Sequence, residues 1–191
     1  DTGRPYEINM SPKEDKALIL NHRHELLLLD LKTEKIKKID QSKFSPIWGC
    51  DWSPDGNYIS MCGAWEDPGA SFDMYEFTGS GWTRIWEKST TSSCLTADFS
   101  MDGKQIANGH SYYQGDGGSV KIYHMDSGVL VDTFGAPAPN GCGGNNCGTV
   151  NGLSWSSNGM KLVTVYGRND EGIHYWFADL DEDNDGYNTT D

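Results

Sequence analysis

No run in this 191-residue chain approaches the roughly 18 consecutive apolar residues of a membrane-spanning helix. Its two aliphatic stretches, 17–20 and 26–29, are split by Asn21-His22-Arg23-His24-Glu25, so membrane insertion is not expected. Basic charge is also scarce, and it is unevenly placed. Residues 1–47 hold 9 basic and 8 acidic side chains, whereas 48–191 hold 6 basic and 20 acidic, for a net charge of −13. A surface of that sign repels polyphosphate and anionic lipid, which argues against nucleic acid and membrane partners. Catalytic signatures are missing too: there is no Gly-x-Ser-x-Gly elbow, no Walker loop and no His-Glu-x-x-His. Gly141-Cys142-Gly143-Gly144 is glycine-rich, but no Lys-Ser/Thr follows to hold a phosphate. No paired Cys or His at short spacing completes a zinc tetrad, and His22 and His24 read as surface residues of a tight turn. The chain opens on Asp1-Thr2-Gly3-Arg4-Pro5 with no secretory leader, as a mature form or a piece of something longer would.

What the chain does contain is a repeated turn. Trp52-Ser53-Pro54-Asp55-Gly56 recurs as Phe99-Ser100-Met101-Asp102-Gly103 and Trp155-Ser156-Ser157-Asn158-Gly159, with a worn copy at Met10-Ser11-Pro12. Asp or Asn bonds its own backbone and Gly accepts positive φ, so each copy predicts a hairpin. Apolar-rich runs follow at 58–62, 105–107 and 161–165. The serines at 11, 53, 100 and 156 are 42, 47 and 56 residues apart. A second marker, an apolar or aromatic residue ahead of a mostly polar one, recurs in phase: Leu29-Asp30, Tyr75-Glu76, Tyr123-His124 and Trp176-Phe177, at steps of 46, 48 and 53. Two markers drifting together define a repeat architecture.

The two markers resemble WD40 repeats over residues 6–178: the first hairpin of that family often reads Phe-Ser-Pro-Asp-Gly and its third strand ends in Trp-Asp. No copy here holds a literal Trp-Asp, and the Gly-His that usually precedes a blade is missing. The resemblance implies an all-β, WD40-like β-propeller of about four four-stranded antiparallel blades, near 6–44, 45–90, 91–140 and 147–178. Strands are expected at 7–10, 17–21, 25–31 and 35–39, then 47–52, 58–63, 72–77 and 82–87. The third set is expected at 95–99, 105–109, 119–124 and 130–134. The fourth, at 150–155, 161–166 and 173–177, stops short because an acidic segment takes the place of its last strand. Only Asp1–Pro5 precede the first strand, too little to donate a closing strand, so the expectation is a fragment of a larger ring with further blades in the parent chain.

In such blades the first and third turns share one face, and the second turns and inter-blade links share the other. The longer segments, 64–70, 110–118, 135–147 and 167–172, all fall in the second group. Insertions gathered on one face mark the binding face of a repeat protein. Trp65, Glu66, Asp67, Tyr112, Tyr113, Asp116, Arg168 and Asp170 are therefore the candidate contacts for a protein or glycan partner. First-strand residues Asn9, Asp51, Asp98 and Asn151 read as packing and hydrogen-bonding groups near the axis.

Cys142 and Cys147 flank Gly-Gly-Asn-Asn closely enough for a local disulfide, whereas Cys50, Cys62 and Cys94 fall in predicted strands and read as buried thiols. The tail 179–191 contains Asp181-Glu182-Asp183-Asn184-Asp185-Gly186. Alternating carboxylates around a sharp glycine bend suit a hard cation. The run resembles the calcium loops of EF-hand and thrombospondin type 3 repeats, which implies calcium ligation by Asp181, Asp183 and Asp185, by the Tyr187 carbonyl, and at Thr189 through water. The acid that would complete such a loop falls one place beyond Asp191, so binding by this chain is expected to be weak. Those repeats are commonest outside cells, so the expectation is an extracellular or cell-surface, non-catalytic interaction module. The alternative is a propeller hydrolase or lyase with a metal in its channel.

Overall fold

The structure is a computed structural model that describes residues 3–41, 47–63, 70–90, 92–111, 118–134, 148–167 and 172–177. Every regular element in them is a strand. Sheet 1 is built from β1 (Pro5–Met10), β2 (Lys16–Asn21), β3 (Glu25–Asp30) and β4 (Lys35–Gln41). Sheet 2 holds β5 (Ile47–Trp52), β6 (Tyr58–Gly63), β7 (Ala70–Phe77) and β8 (Trp82–Thr90). Sheet 3 holds β9 (Cys94–Phe99), β10 (Gln105–His110), β11 (Val120–His124) and β12 (Leu130–Phe134). Sheet 4 holds β13 (Thr149–Trp155), β14 (Lys161–Gly167) and β15 (Gly172–Phe177), three strands among the described residues. All pairs are antiparallel neighbours in sequence, and the strands match the expected ones except at their ends.

The repeated turn closes each first hairpin in one way. The backbone N–H of Ser53 donates to Tyr58 O and the N–H of Gly56 to Ser53 O, both at 2.9 Å. The Ser53 hydroxyl donates to Asp55 at 2.6 Å and accepts the Tyr58 N–H at 2.8 Å. Ser100 with Asp102 and Ser156 with Asn158 reproduce that pattern. The turn needs positive φ at its last position, which Gly56, Gly103 and Gly159 supply at 69–73°. The worn copy has the same turn, with Glu14 taking the position at φ 54°.

Sheets pack face to face along three seams, each with its own core. Leu18, Leu20 and Leu26 meet Trp52, Met61 and Tyr75 between sheets 1 and 2. Phe72 and Met74 meet Phe99, Ile106 and Tyr123 between sheets 2 and 3. Ala107, Val120 and Ile122 meet Val150, Trp155 and Leu162 between sheets 3 and 4. At this last seam the sheets come so close that a Cβ on Gly109 would overlap the Val150 side chain. β6 and β10 are covered on both faces, which is why their sequences lose the polar–apolar alternation of half-buried strands.

Every first strand carries a β-bulge at one repeat position. Tyr6, Trp48, Leu95 and Asn151 are the extra residues, each three places before the residue that precedes the turn motif. Bulges re-aim the strand that follows them. Here they set which side chains of the second half of the strand reach the next sheet.

Candidate functional site: the inner strands and the loop face

The residue immediately before each turn motif forms a column along the inner strands: Asn9, Asp51, Asp98 and Ser154. Each member reaches across a seam. The Asn9 amide donates to Asp51 Oδ1 at 3.1 Å and to the Cys50 carbonyl at 3.2 Å. Asp51 Oδ2 accepts the Phe99 backbone N–H at 3.2 Å, and Asp98 Oδ2 accepts that of Trp155 at 2.7 Å. Indoles return the contact: Trp52 Nε1 donates to Asn9 O and Trp155 Nε1 to Asp98 O, each at 3.1 Å. The Phe99 ring, unlike an indole, has no side-chain donor to return at its seam. There the Asp51 and Asp98 carboxyls lie in hydrogen-bond contact with one another.

The column corrects one expectation. Asn151 is not its fourth member: it is the bulged residue of β13, whereas Ser154 stands in the column and bonds Asp98. Counting back from the turn motif would have found Ser154, because the bulge shifts the strand's alternation by one residue.

The inner strands β1, β5, β9 and β13 contain three carboxyls, Glu7, Asp51 and Asp98, and no Lys, Arg or His. With little to offset desolvation, burial pushes Asp51 up to about 7, aided by the neighbouring Asp98 charge. Asp98 is raised by burial as well, and burial lifts Glu7 to about 7 although it accepts from the Cys50 backbone. The buried Cys50 thiol between Glu7 and Asp51 is pushed well up, which keeps it protonated and inert. Farther from the axis, Tyr75 donates to Asp40 at 2.7 Å across the first seam. Burial raises the neighbouring Asp73 to about 6, against the pull of Arg84 at 3.6 Å.

The second seam also carries a covalent tie. Cys62 on β6 and Cys94 on β9 form a disulfide with their Cα atoms 5.0 Å apart. The expectation of ordinary thiols holds only for Cys50. The sequence signal was topological: Cys62 lies near the end of a second strand and Cys94 opens the next repeat's first strand, so a bulge at Leu95 brings them face to face.

All candidate contact residues, Trp65, Glu66, Asp67, Tyr112, Tyr113, Asp116, Arg168 and Asp170, lie outside the described residues, as do Cys142, Cys147 and the tail residues Asp181, Asp183, Asp185, Tyr187 and Thr189. What the structure does fix is the strand ends that flank the candidate loops. The ends Gly63/Ala70, His110/Val120 and Gly167/Gly172 bracket the second turns, on the face opposite the short Ser-containing turns.

Stacked antiparallel sheets with their first strands innermost define a β-propeller arrangement, of which the described residues form four successive sheets. The WD40 family model (WD domain, G-beta repeat) matches residues 34–67, from the last turn of sheet 1 through β6. Among solved structures, the β-propeller domain of Cps50 (Swd1) from Myceliophteria thermophila superposes with a TM-score of 0.71 at 15% identity. That match covers 91% of this chain and 52% of the other. A Tricorn-like protease C-terminal subunit of Sulfurisphaera tokodaii is 38% identical over 60 residues, 31% of this chain and 7% of that protein. The chain thus spans about half of the solved propeller and a small part of the curated relative.

Proposed function

We propose that this chain is a non-catalytic interaction module, part of a larger propeller, that holds a protein or glycan partner on the face of its second turns and inter-blade links. The observation that supports this reading is the division of connections between faces. First turns are closed by two backbone and at least two side-chain hydrogen bonds each and leave no variable segment. The other face receives segments rich in Trp, Tyr and acids, where aromatic anchors with charged rims suit recognition. The chain's motif content supports binding over catalysis, although the curated relative's name is that of a protease subunit. The test is a triple variant, Trp65→Ala with Tyr112→Ala and Tyr113→Ala, compared with the parent by cross-linking and mass spectrometry on its native source. Loss of specific cross-links with an unchanged melting curve supports the reading. An unchanged set of cross-linked partners retires it.

Two finer points rest on sequence. The extracellular or cell-surface setting draws on the calcium-loop resemblance of 181–186 and on the Cys142–Cys147 pairing. The Cys62–Cys94 bond is consistent with it, since disulfides persist in oxidising compartments. Calcium would be held by Asp181, Asp183 and Asp185 with Tyr187 and Thr189, and calorimetry of a longer chain that shows no calcium heat removes that assignment.

A further inference from the structure

We propose that Asp51 and Asp98 form a proton-sharing latch across the seam between sheets 2 and 3, firm in mildly acidic solution and loosened above neutrality. The geometry leaves little alternative for two carboxyls so placed. Asp51 is fixed from both sides, by the Asn9 amide on Oδ1 and by the Phe99 N–H on Oδ2. Asp98 is fixed by the Trp155 N–H at 2.7 Å. Neither can swing away without abandoning a backbone donor, and the N–H that Asp51 accepts belongs to the residue following Asp98, which sets the two carboxyls beside one another in the seam. Two carboxylates at hydrogen-bond distance repel unless one proton lies between them, as in other buried acid pairs.

The surroundings supply no substitute for that proton. On the inner strands packed against the pair, the titratable neighbours are Tyr6 and Glu7 on β1 and Cys50 on β5, and β9 and β13 add none that is free of the disulfide. On the second strands, Lys16 is paired with Asp15, Tyr58 with Glu76, and His110 with Ser92, while β14 adds Lys161 at its exposed end and the buried Tyr166. When the pH rises, the shared proton leaves for solvent, one O–H bond breaks, and two negative charges face each other in the seam. The unfolded chain has already released that proton at the ordinary carboxylate range. Between that range and neutrality the folded form therefore holds the extra proton, and each rise in pH costs it stability. The latch ties together the two sheets whose second turns carry Trp65 and Tyr112, so the seam's firmness bears on how those loops are presented to a partner.

Asp98→Asn is the decisive variant. Its amide oxygen can still accept from Trp155, and its NH₂ donates permanently to Asp51, so the bond survives without a titrating proton. Urea unfolding of parent and variant is compared from about pH 5 to about pH 8.5, with Glu7→Gln in both backgrounds to remove the other raised inner carboxyl. The expected result is a parent whose folding constant falls more steeply than the variant's between about pH 5 and neutrality, by up to about tenfold per pH unit, with the two slopes converging above neutrality. Equal slopes below neutrality overturn the proposal. Because a seam variant can fail to fold, carbon-13 carboxyl titration of the parent gives an independent reading. A shared, late-titrating resonance pair supports the latch, and two aspartates titrating separately below about pH 5 overturn it.

Discussion

The first and second seams occupy the same place in successive repeats and are tied by different chemistry. Between sheets 1 and 2 the column pairs an amide with an acid, Asn9 to Asp51, and the Trp52 indole returns a bond to Asn9 O. Between sheets 2 and 3 it pairs acid with acid, the Phe99 ring has no donor to match the indole, and the Cys62–Cys94 bond crosses as well. The third seam has the indole back, with Trp155 bonded twice to Asp98. The backbone arrangement is therefore independent of any one tie. The bulge and the turn fix where the column residue lies, and the side chain at that place decides whether the seam is neutral or proton-dependent; the covalent tie is added outside the column, by Cys62 and Cys94.

Breaking the covalent tie should have the largest effect. The bridge encloses a separation of 32 residues. A loop of that length restricts the unfolded chain by about 3–4 kcal/mol. Denaturant unfolding with and without reductant should show a loss of that order, and a Cys62→Ala, Cys94→Ala double variant should be insensitive to reductant. An identical midpoint in both conditions would mean that the second seam does not depend on its bridge.

A smaller effect is expected from making the first seam resemble the second. Trp52→Phe deletes the indole donor to Asn9 O and part of a side chain that is 5% exposed. The lost bond and unfilled volume should cost about 2 kcal/mol. The same change at Trp155 should cost a similar amount, since its indole bonds Asp98 O in the same way. Calorimetric melting of the two variants reads this directly, and two unequal losses would show that the seams are not equivalent in packing.

The smallest change sharpens the comparison between turns. Glu14 occupies a position at φ 54° where the other three copies have glycine. Glu14→Gly relieves the left-handed strain of a side chain but adds freedom to the unfolded state, so a net gain of about 0.5 kcal/mol is expected. A loss on denaturant titration would show that Glu14 contributes through its side chain.

Much of the fold could be read in the sequence because turn chemistry is local. Ser-Pro-Asp-Gly and its copies close the hairpin with bonds that span no more than five residues, so the hairpins and their period are legible without any tertiary contact. The column was half legible for the same reason. Asp51 and Asp98 directly precede the motif, but the fourth place falls at Ser154 and not at Asn151, because the bulge that breaks the strand's alternation leaves no mark in residue type.

β14 and β10 show where that local reading stops. Lys161–Gly167 alternates buried and exposed positions, with Val165 44% exposed beside Ile173 at 60%, whereas Gln105–His110 is buried almost throughout. Both segments read as short apolar strands, and only the packing of a sheet on the second face separates them. By itself the sequence determined the repeat, the turns, the strand order and the acidic character of the chain, since each follows from residues close together along it. The tertiary structure alone decided that Cys62 meets Cys94, that Asp51 meets Asp98, and which strand faces stay uncovered. Those depend on distances between residues 32 or more positions apart, which are set by how one sheet lies on the next.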